Sequence, residues 1–586
     1  MLPDFFNFFN PLDKALASTL QIADSQTPIE VLFAAALTCF NLSKGNVALD
    51  LNRLNAEDFV YFSFKNQHQE EQFELFKQHC EKLKHFDFRH QHAVLFVENV
   101  NKFNCLQAKP LVYWKNKLYL FRYFFAERQV EQNILKRIEN TSKKECNNLI
   151  LNKLFEEESE QKQACRKAFV ENFAIITGGP GTGKTTTVAK LLVLLFAENP
   201  HLKIELAAPT GKAAQRLKES IAHSMDSLKK LNIPIDIKEP QTIHRLLGVL
   251  PQGFVHHQHH PLNCDVLILD EASMIDLLLF QAVLNALPLA AKLIVLGDEN
   301  QLSSVDAGSL MKELCQAKKL TNNVAHLKKS HRFQGGIAQF AQAVNLGKSN
   351  EIKALFDKNQ EDLHIIQTEA EWTKLIENFY EENFVSPIDV HSDALFFEDY
   401  ALQLFKRNAK LQVLCALREG EFGVHHLNQK IQNIFQQIFL KKINVDRGFF
   451  QSSPLHSFFE QCPVMMIENQ AQLHLNNGDV GVAIERENGM RLCFGQRWLS
   501  PNRLENQIEK MFALTIHKSQ GSEFDHVILV LPPKMLPILS RELLYTGATR
   551  AKKRLTLYIP QNENSPFVLL KNIINHRLQR QGALFG

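Results

Sequence analysis

From Phe173 onward, short runs of apolar residues alternate with stretches in which apolar residues recur at helical spacing. This alternation is typical of parallel strands, buried on both faces, that are joined by crossover helices. The runs form two sets, at 173–177, 204–210, 266–273 and 292–298, and then at 412–417, 526–532 and 554–560. The sequence therefore predicts an α/β protein with two parallel-sheet lobes.

The regions outside these runs follow other patterns. Residues 1 to about 105 are predicted to be mostly helical, because apolar residues recur there at helical spacing. Two aromatic runs around a Lys-Asn-Lys turn predict a β-hairpin at 110–123, and a charged helical stretch follows to about 169. The stretch 432–508 is β-like, with a turn at 476–482. We expect it to form a small sheet or barrel inserted into the second lobe.

Composition sets few limits on function. Lys and Arg number 66 against 63 Asp and Glu, and this weak excess neither requires nor excludes a nucleic-acid partner, since a local basic channel suffices. The ten cysteines occur singly, with no CxxC spacing, as expected for reduced thiols. The start lacks the pattern of a signal peptide, and the apolar stretches are near ten residues. We expect a soluble cytoplasmic protein without membrane contact.

The segment 178–185 matches the pattern GxxxxGK[ST] between a predicted strand and a predicted helix. Glycines let backbone N–H groups face phosphates, and the helix N-terminus favours negative charge. Lys184 is expected to meet the β- and γ-phosphates of ATP, and Thr185 to ligate Mg²⁺. The alternative is a glycine-rich turn without a ligand. The candidate nucleotide-binding residues are Gly178, Gly179, Pro180, Gly181, Thr182, Gly183, Lys184, Thr185 and Thr186.

An acidic pair, Asp270 and Glu271, ends the apolar run 266–269. Carboxylates at the carboxyl end of a parallel strand face the nucleotide crevice of such folds. Asp270 is expected to hold Mg²⁺, and Glu271 to orient and deprotonate the attacking water. The alternative is an acidic cap on the helix that starts near Met274.

Three further polar residues follow predicted strands or lie in the second lobe. Gln301 is a candidate sensor of the γ-phosphate, although in isolation a polar turn after a strand is the stronger interpretation. Arg332 and Arg550 are candidate arginine fingers, which would spread positive charge over the transferring phosphoryl group. A single arginine is more often a plain surface residue.

These segments occur in the order of the superfamily 1 helicase motifs, and their sequences resemble those of the RecD group of superfamily 1B. The matching segments are GGPGTGKTTT (178–187), AAPTGKAAQRL (207–217), VLILDEASMID (266–276), LGDENQLSSVDAG (296–308), SHRF (330–333), TIHKSQGSEFDHV (515–527) and LYTGATRAKKRL (544–555). The resemblance implies two RecA-like P-loop lobes with parallel sheets, a helical N-terminal domain and a small inserted SH3-like β module.

The resemblance also implies domain bounds. These are a partner-docking N-terminal domain at 1–110, a hairpin and helical linker at 111–160, a first lobe at 161–325 with a strand-splitting hairpin at about 249–262, a second lobe at 326–431 and 509–586, and the inserted module at 432–508. The hairpin contains His256, His257, His259 and His260. A metal site there is the weaker alternative, because loop histidines are commonly solvated and no cysteine or acid accompanies them.

Several site residues rest on the resemblance alone. Gln161 stands where the family has its adenine-reading glutamine, although Glu160 replaces the usual aromatic residue before it. The motifs imply DNA-backbone contacts at Thr210, Lys212, His244, Thr515, His517, Lys518 and Ser519. Glu523 matches a residue typical of its motif but without a clear role.

The implied activity is ATP-dependent 5′→3′ unwinding of DNA within a RecBCD-type helicase–nuclease, in double-strand break repair and homologous recombination. The implied partners are single-stranded DNA, duplex DNA ends, and RecB-like and RecC-like subunits in a heterotrimer, with the exonuclease in a partner chain. Three alternatives stay open: a stand-alone superfamily 1B helicase, a P-loop switch without motor activity, and an RNA motor.

Overall fold

The fold is built from two parallel sheets, each flanked by helices, with a smaller domain before the first sheet and a module inserted into the second lobe. The computed structural model describes residues 2–59, 67–98, 108–140, 146–228, 237–329, 335–358, 360–389, 391, 393–443, 458–504, 506–561, 565–578, 580, 582 and 584–585. Within these residues, none of the helices has the length and apolar character that crossing a membrane requires.

The N-terminal domain combines three helices with a four-stranded sheet of order β1-β4-β3-β2. Its elements are α1 (Pro11–Ala23), α2 (Ile29–Ser43), β1 (Ala48–Asp50), α3 (Gln67–His85), β2 (Val94–Phe96), β3 (Leu111–Trp114) and β4 (Lys117–Leu120). The predicted hairpin is confirmed, and its turn residues Lys115 and Asn116 have positive φ. Because β3 and β4 pair with β2 and β1, the sheet extends past the boundary expected at residue 110.

Three helices connect this domain to the first lobe: α4 (Phe121–Glu139), α5 (Asn148–Leu154) and α6 (Glu160–Val170). The α4 helix packs along α10 of the first lobe, which is bounded below. Trp114 and Tyr119 of the N-terminal sheet share one buried core with first-lobe residues such as Phe280. The N-terminal domain is therefore continuous with the first lobe.

The first lobe is a six-stranded sheet of order β12-β5-β11-β10-β6-β7, and all its pairs are parallel. Its elements are β5 (Phe173–Gly178), α7 (Lys184–Glu198), β6 (Ile204–Ala208), α8 (Gly211–Leu228), β7 (Gln241–Thr242), α9 (Ile243–Leu247), β8 (Val249–Leu250), β9 (Gly253–Phe254), β10 (Val266–Leu269), α10 (Leu277–Ala286), β11 (Lys292–Gly297), α11 (Leu310–Gln316) and β12 (Val324–Leu327). The predicted strands at 173–177, 266–269 and 292–296 are confirmed. The β8–β9 pair is an antiparallel hairpin, as predicted for 249–262.

The second lobe begins with α12 (Gly336–Leu346), α13 (Ile352–Asp357), β13 (Leu363–Ile366), α14 (Glu369–Glu382), α15 (Ala394–Lys410), β14 (Leu411–Cys415) and α16 (Val424–Ile443). The α16 helix corrects the sequence prediction, which gave β structure from 432 onward. Phe435 and Phe439 lie on the buried side of this helix, beside the inserted module's core. Phe435 and Phe439 recur four positions apart, which is the spacing of one face of a helix.

The inserted module is a five-stranded antiparallel sheet of order β18-β17-β16-β15-β19. Its strands are β15 (Pro463–Met466), β16 (Val480–Arg486), β17 (Gly489–Phe494), β18 (Arg497–Leu499) and β19 (Ile508–Lys510). The predicted β character is confirmed, and the sheet extends to Lys510. The turn between β15 and β16 contains Gly478, whose φ of 92° favours glycine.

The chain then completes the second lobe with β20 (Ala513–Thr515), β21 (Phe524–Val530), α17 (Arg541–Ala548), β22 (Ala551–Tyr558) and α18 (Pro566–Asn575). Its sheet has the order β13-β22-β21-β14-β20, with parallel pairs throughout. The predicted strands at 412–417, 526–532 and 554–560 are thereby confirmed with small shifts in their ends. Two α/β lobes therefore face each other, as the apolar runs predicted.

Candidate nucleotide and DNA site

The loop between β5 and α7 has the backbone that a phosphate cradle needs. Gly181 and Gly183 have φ of 76° and 83°, and Gly183 is the N-cap of α7. The positive φ of Gly183 disfavours any residue with a Cβ, and a Cβ there would also meet the side-chain amide of Gln161. Gln161 also donates from Nε2 to the carbonyl of Thr182 at 3.0 Å. Gln161 thus lies directly against the loop.

The Lys184 ammonium lies over the same loop. Its Nζ donates to the carbonyls of Gly178 at 2.6 Å and Gly179 at 3.1 Å, and Thr182 Oγ1 donates to Gly179 at 2.9 Å. These bonds place a cation beside the amides at the start of a 15-residue helix. The glycine backbone, the helix N-terminus and the lysine ammonium together fit a bound polyphosphate. The alternative of a glycine-rich turn without a ligand does not account for this combination.

The acidic pair follows β10 at the carboxyl edge of the first sheet. The Glu271 amide donates to Asp270 Oδ1 at 2.8 Å, and Glu271 has the left-handed φ of 51°. Asp276, not the pair, caps the next helix, since its Oδ1 accepts from Leu278 and Leu279 at 2.9 Å each. The helix-cap alternative for Asp270 and Glu271 is therefore wrong.

Burial raises the pKa of Asp270 to about 6, and the neighbouring Glu271 carboxylate adds to the rise, while Lys184 opposes it. A carboxyl held this way accepts a cation readily, because the cation relieves both the burial penalty and the repulsion. The Thr185 hydroxyl lines the same cavity as Asp270. Hydroxyl and carboxylate oxygens are the donors that Mg²⁺ prefers, so the donor set fits this ion.

Gln301 is held inside the protein rather than in a solvent-exposed turn. Its side chain is 5% exposed and donates to Asp298 Oδ2 at 3.2 Å. Tyr545 of the second lobe donates to the same oxygen at 3.0 Å. Nearby, the Leu302 amide donates to Oγ1 of Thr546 at 2.9 Å. The strand-end segment that carries Gln301 is therefore joined to the second lobe.

Arg550 approaches the site from the second lobe. It is 2% exposed, and its guanidinium donates to the carbonyls of Thr546 at 3.1 Å and Ser522 at 3.3 Å. Burial lowers its pKa, and the Glu271 carboxylate opposes the decrease. The other candidate finger, Arg332, lies outside the described residues.

A cavity of about 710 Å³ brings these side chains together between the lobes. Its walls include Gln161, Pro180, Gly181, Gly183, Lys184, Thr185, Thr186, Asp270, Glu271 and Gln301 from the first lobe, and Arg550 from the second. Gly178, Gly179 and Thr182 lie on the other side of the same loop and line a neighbouring cavity. Lys184 and Glu271 of the first lobe and Arg550 of the second therefore line one crevice between the lobes.

Sequence reasoning missed an ion pair that crosses this cavity. Arg216 on α8 of the first lobe contacts the carboxylate of Glu523, which directly precedes β21 of the second lobe. Both residues line the cavity beside Asp270 and Glu271. Each lies within one of the helicase-like motifs, and the motif gives neither of them this role. Only the fold brings the two together.

The proposed DNA contacts of the first lobe lie on the segment that follows β6. Thr210 Oγ1 accepts from the Ala213 amide at 3.2 Å, so it organises the start of α8. Burial lowers the pKa of Lys212 to about 8, with Arg216 adding to the decrease, and Asp479 of the inserted module opposes it. His244 on α9 is exposed. Thr210 and Lys212 lie under the inserted module, and His244 lies at the hairpin.

The proposed DNA-contact residues of the second lobe differ in how far they are buried. Thr515, His517 and Lys518 are partly exposed, and Lys518 Nζ contacts Glu509 at 2.6 Å. Burial lowers the pKa of His517, with Arg580 adding to the effect. Ser519 is fully buried, and its hydroxyl donates to the Ile516 carbonyl at 2.7 Å. The Ser519 hydroxyl is therefore used inside the turn in this conformation, and the DNA contact that the motif implies for Ser519 stays a prediction.

The histidines of the hairpin pair with one another. The rings of His256 and His260 stack with centroids 4.8 Å apart, and His257 and His260 exchange backbone hydrogen bonds. Across the part of the chain that the structure describes, no three His, Cys, Asp or Glu side chains are grouped to hold a metal. The metal alternative for this hairpin has no support from the structure.

Comparison with known proteins decides the family. The RecBCD enzyme subunit RecD of Haemophilus influenzae is 32% identical over 547 residues, which cover 82% of this chain and 81% of that protein. The chain belongs to the RecD family. The family model for the RecD N-terminal domain matches residues 7–119, an AAA domain model matches 161–307, and a UvrD-like helicase C-terminal domain model matches 510–558.

A longer protein also resembles this RecD family member. The ATP-dependent RecD2 DNA helicase of Deinococcus radiodurans is 32% identical over 389 residues, which cover 65% of this chain but 46% of that protein. Among solved structures, a Pif1 helicase described as unwinding forked double-stranded DNA covers 68% of this chain and 92% of its own, at 15% identity and a TM-score of 0.35. The RecD N-terminal match accounts for the domain that precedes the first lobe.

Proposed function

We propose that this RecD family member is the ATP-dependent DNA helicase subunit of a RecBCD-type enzyme and moves 5′→3′ on single-stranded DNA. The observation that carries the proposal is the cavity between the lobes, in which Lys184 and Glu271 of one lobe face Arg550 of the other. A pocket lined by both lobes changes its conformation when the bound nucleotide loses its γ-phosphate, and a motor requires such a conformational change.

The first lobe binds the substrate ATP and activates water. Backbone amides at the start of α7 and the Lys184 ammonium hold the phosphates. The Glu271 carboxylate orients the attacking water and accepts its proton, since it follows a buried strand and its side chain makes no helix-capping hydrogen bond. Gln161, packed against Gly183, is proposed to recognise the adenine base.

Thr185 and Asp270 are proposed to hold Mg²⁺. The bound ion supplies neutralisation of negative charge on the phosphate oxygens. The neighbouring protein groups keep Asp270 ready for this task, because the Lys184 and Arg216 cations favour its charged form against burial.

The second lobe completes the site and transmits its state. Arg550 is proposed as a finger that stabilises the transferring phosphoryl group, and Arg332 as a second one. Gln301 reports the γ-phosphate to the second lobe through its neighbour Leu302, which bonds to Thr546. Closing and opening of the cleft then alternate the grip of Lys212, His517 and Lys518 on the DNA backbone.

The N-terminal domain favours a subunit over a stand-alone helicase. Residues 7–119 match the RecD N-terminal domain, whereas the match to RecD2 covers less than half of that longer protein. We place RecC-like docking on this domain, a RecB-like subunit in the same heterotrimer, and duplex DNA ends as the substrate. Phosphodiester cleavage is assigned to a partner chain. DNA is favoured over RNA by the family.

Lys184→Gln tests the motor directly. We expect wild-type protein to hydrolyse ATP faster with single-stranded DNA and to unwind duplexes with a 5′ tail but not a 3′ tail. Lys184→Gln should reduce both activities to background while circular dichroism and partner binding stay unchanged. DNA-stimulated hydrolysis in Lys184→Gln at the wild-type rate would refute the site, and unwinding from 3′ tails alone would refute the polarity.

Assembly and nuclease activity need a separate experiment. Tagged chain purified from its native host should bring down RecB-like and RecC-like subunits identified by mass spectrometry, and the complex should degrade linear duplex DNA with ATP and Mg²⁺. The purified chain alone should leave the DNA intact. Degradation by the chain alone, retained in Lys184→Gln and free of contaminating nuclease, would contradict the assignment of cleavage to a partner.

A further inference from the structure

The loop that carries Gln301, residues 298–308, leaves the first sheet and returns to α11 without regular secondary structure. Its start is held by the second lobe, through Tyr545 at Asp298 and Thr546 at Leu302. Its later half contains the exposed Val305 and Asp306 between buried neighbours. The later half of the Gln301 loop lies beyond these second-lobe contacts.

This later half binds a single guanidinium from the C-terminal segment, of which residues 576–578, 580, 582 and 584–585 are described. Arg580 donates through Nη2 to the carbonyl of Ser304 at 2.6 Å, and through Nη1 to the carbonyls of Asp306 at 2.9 Å and Gly308 at 2.7 Å. Three acceptors around one rigid fork suit arginine, because a lysine ammonium presents its donors from a single nitrogen.

The N-terminal domain contacts both the Gln301 loop and the Arg580 guanidinium. The Gly308 amide donates to the carbonyl of Gly45 at 2.9 Å. Gly45 has φ of 85°, and a Cβ there would lie 2.6 Å from Cζ of Arg580. The guanidinium is thus packed between the Gln301 loop and the end of α2, and burial lowers its pKa.

The C-terminal segment reaches this place from the second lobe and is fixed along its path. The Leu578 amide donates to Glu542 Oε2 at 3.1 Å, the Lys117 ammonium donates to the Gly582 carbonyl at 2.8 Å, and Leu584 packs into the first-lobe core. Arg580 is therefore presented by a segment that is anchored in both lobes and on the N-terminal sheet.

We propose that Arg580 is a positioning residue for the motor: it fixes the Gln301 loop so that Gln301 faces the nucleotide cavity while the loop stays joined to the second lobe. The proposal rests on the proposed helicase function and adds a residue outside the helicase motifs. The proposal predicts that the rate of ATP hydrolysis depends on the fork geometry of Arg580. ATP binding should not depend on it, because Lys184 and the phosphate loop, which bind the phosphates, are not part of the Gln301 loop.

The test compares Arg580→Lys and Arg580→Ala with Arg577→Lys in the full-length chain. Arg577 is a matched control, since it lies three residues earlier on the same segment and pairs only with Glu542 among the ion pairs of the described residues, at 3.6 Å. We expect both Arg580 variants to lower the DNA-stimulated kcat about tenfold with KM for ATP within about twofold of wild type. Amide exchange in peptides covering 302–309 should accelerate in the Arg580 variants only.

Three outcomes would overturn the proposal. These are wild-type kcat in Arg580→Lys, unchanged exchange in 302–309, or an equal loss in Arg577→Lys. A joint fall of kcat, ATP affinity and thermal stability would show general destabilisation instead. If wild-type protein itself showed no DNA-stimulated hydrolysis, the proposed function would fail, whereas the exchange measurement would still decide whether Arg580 holds the loop.

Discussion

The ion pair between Arg216 and Glu523 places opposite charges from the two lobes at the wall of the nucleotide cavity. Burial alone would lower the pKa of Arg216, but Glu523, followed by Glu271, outweighs it and raises the pKa. Removing one partner leaves the other charge in a partly buried site without its match. The two residues should therefore act as a unit.

A double-mutant cycle tests this coupling. We expect Arg216→Gln and Glu523→Gln each to lower kcat/KM for DNA-stimulated ATP hydrolysis about tenfold, and the double variant to lose about tenfold rather than about a hundredfold. Steady-state rates at saturating DNA supply the four values. A multiplicative loss in the double variant would show that the residues act independently.

Such pairs show where sequence reasoning stops at the scale of single residues. Lys184, Asp270 and Glu271 could be found because two short segments fix their geometry, and each is a strand end followed by a loop. Arg216 and Glu523 are separated by 307 positions, and nothing local indicates their contact. Ser519 shows the reverse limit, since its motif gave its position but not the burial of its hydroxyl.

Helix α4 shows how one element organises another. Arg137 is fully buried, and its guanidinium donates to the carbonyls of Leu287 at 2.6 Å, Pro288 at 2.8 Å and Ala291 at 2.7 Å. These carbonyls belong to the connection between α10 and β11. Burial lowers the pKa of Arg137 to about 10, so it stays charged at neutral pH.

Arg137→Met should destabilise the first lobe. Methionine keeps most of the volume but removes the guanidinium from all three carbonyls. The Pro288 carbonyl still accepts from the Ala291 amide at 3.0 Å, so the loss falls on the carbonyls of Leu287 and Ala291 and costs ~3 kcal/mol. The free energy of unfolding in urea, followed by tryptophan fluorescence, measures the loss. Arg122→Met is the control on the same helix, since Arg122 is exposed and its replacement should change stability by under ~0.5 kcal/mol. Equal stability of the two variants would contradict the role of Arg137.

At the scale of elements, burial on both faces decides what the sequence can predict. Strands such as β10 and β21 are continuous apolar runs, so the sequence alone locates them. The β1 and β2 strands have three residues each, too few to show a period, and they form only because the hairpin offers them edges. The aromatic residues of α16 obscure its helical period.

In the whole molecule, the inserted module covers part of the proposed DNA path. The turn 476–479 of the inserted module lies on the start of α8, where a Cβ on Gly211 would be 2.8 Å from Cβ of Asn476. The Asp479 carboxylate favours the charged form of the adjacent Lys212. Because this turn covers the start of α8, we expect the module to move before DNA reaches Thr210 and Lys212.

A disulfide between Gly211→Cys and Asn476→Cys should therefore prevent DNA from engaging the first lobe. The two Cβ positions need to separate by ~1 Å to reach ordinary disulfide geometry, which a surface turn can supply. We expect the oxidised double variant to lose at least about tenfold in affinity for single-stranded DNA relative to its reduced form, because Lys212 stays covered. Fluorescence anisotropy before and after reduction measures this.

The reduced double variant is the proper reference, since it carries both substitutions and differs only in the cross-link. Single-cysteine variants under the same oxidant control for the native thiols, several of which are buried. Their affinity should not respond to oxidation. If the cross-linked protein bound DNA as tightly as its reduced form, the strand would have to bypass Lys212. The path of DNA over the first lobe would then need to be placed away from α8, and the contacts proposed for Thr210 and Lys212 would fall with it.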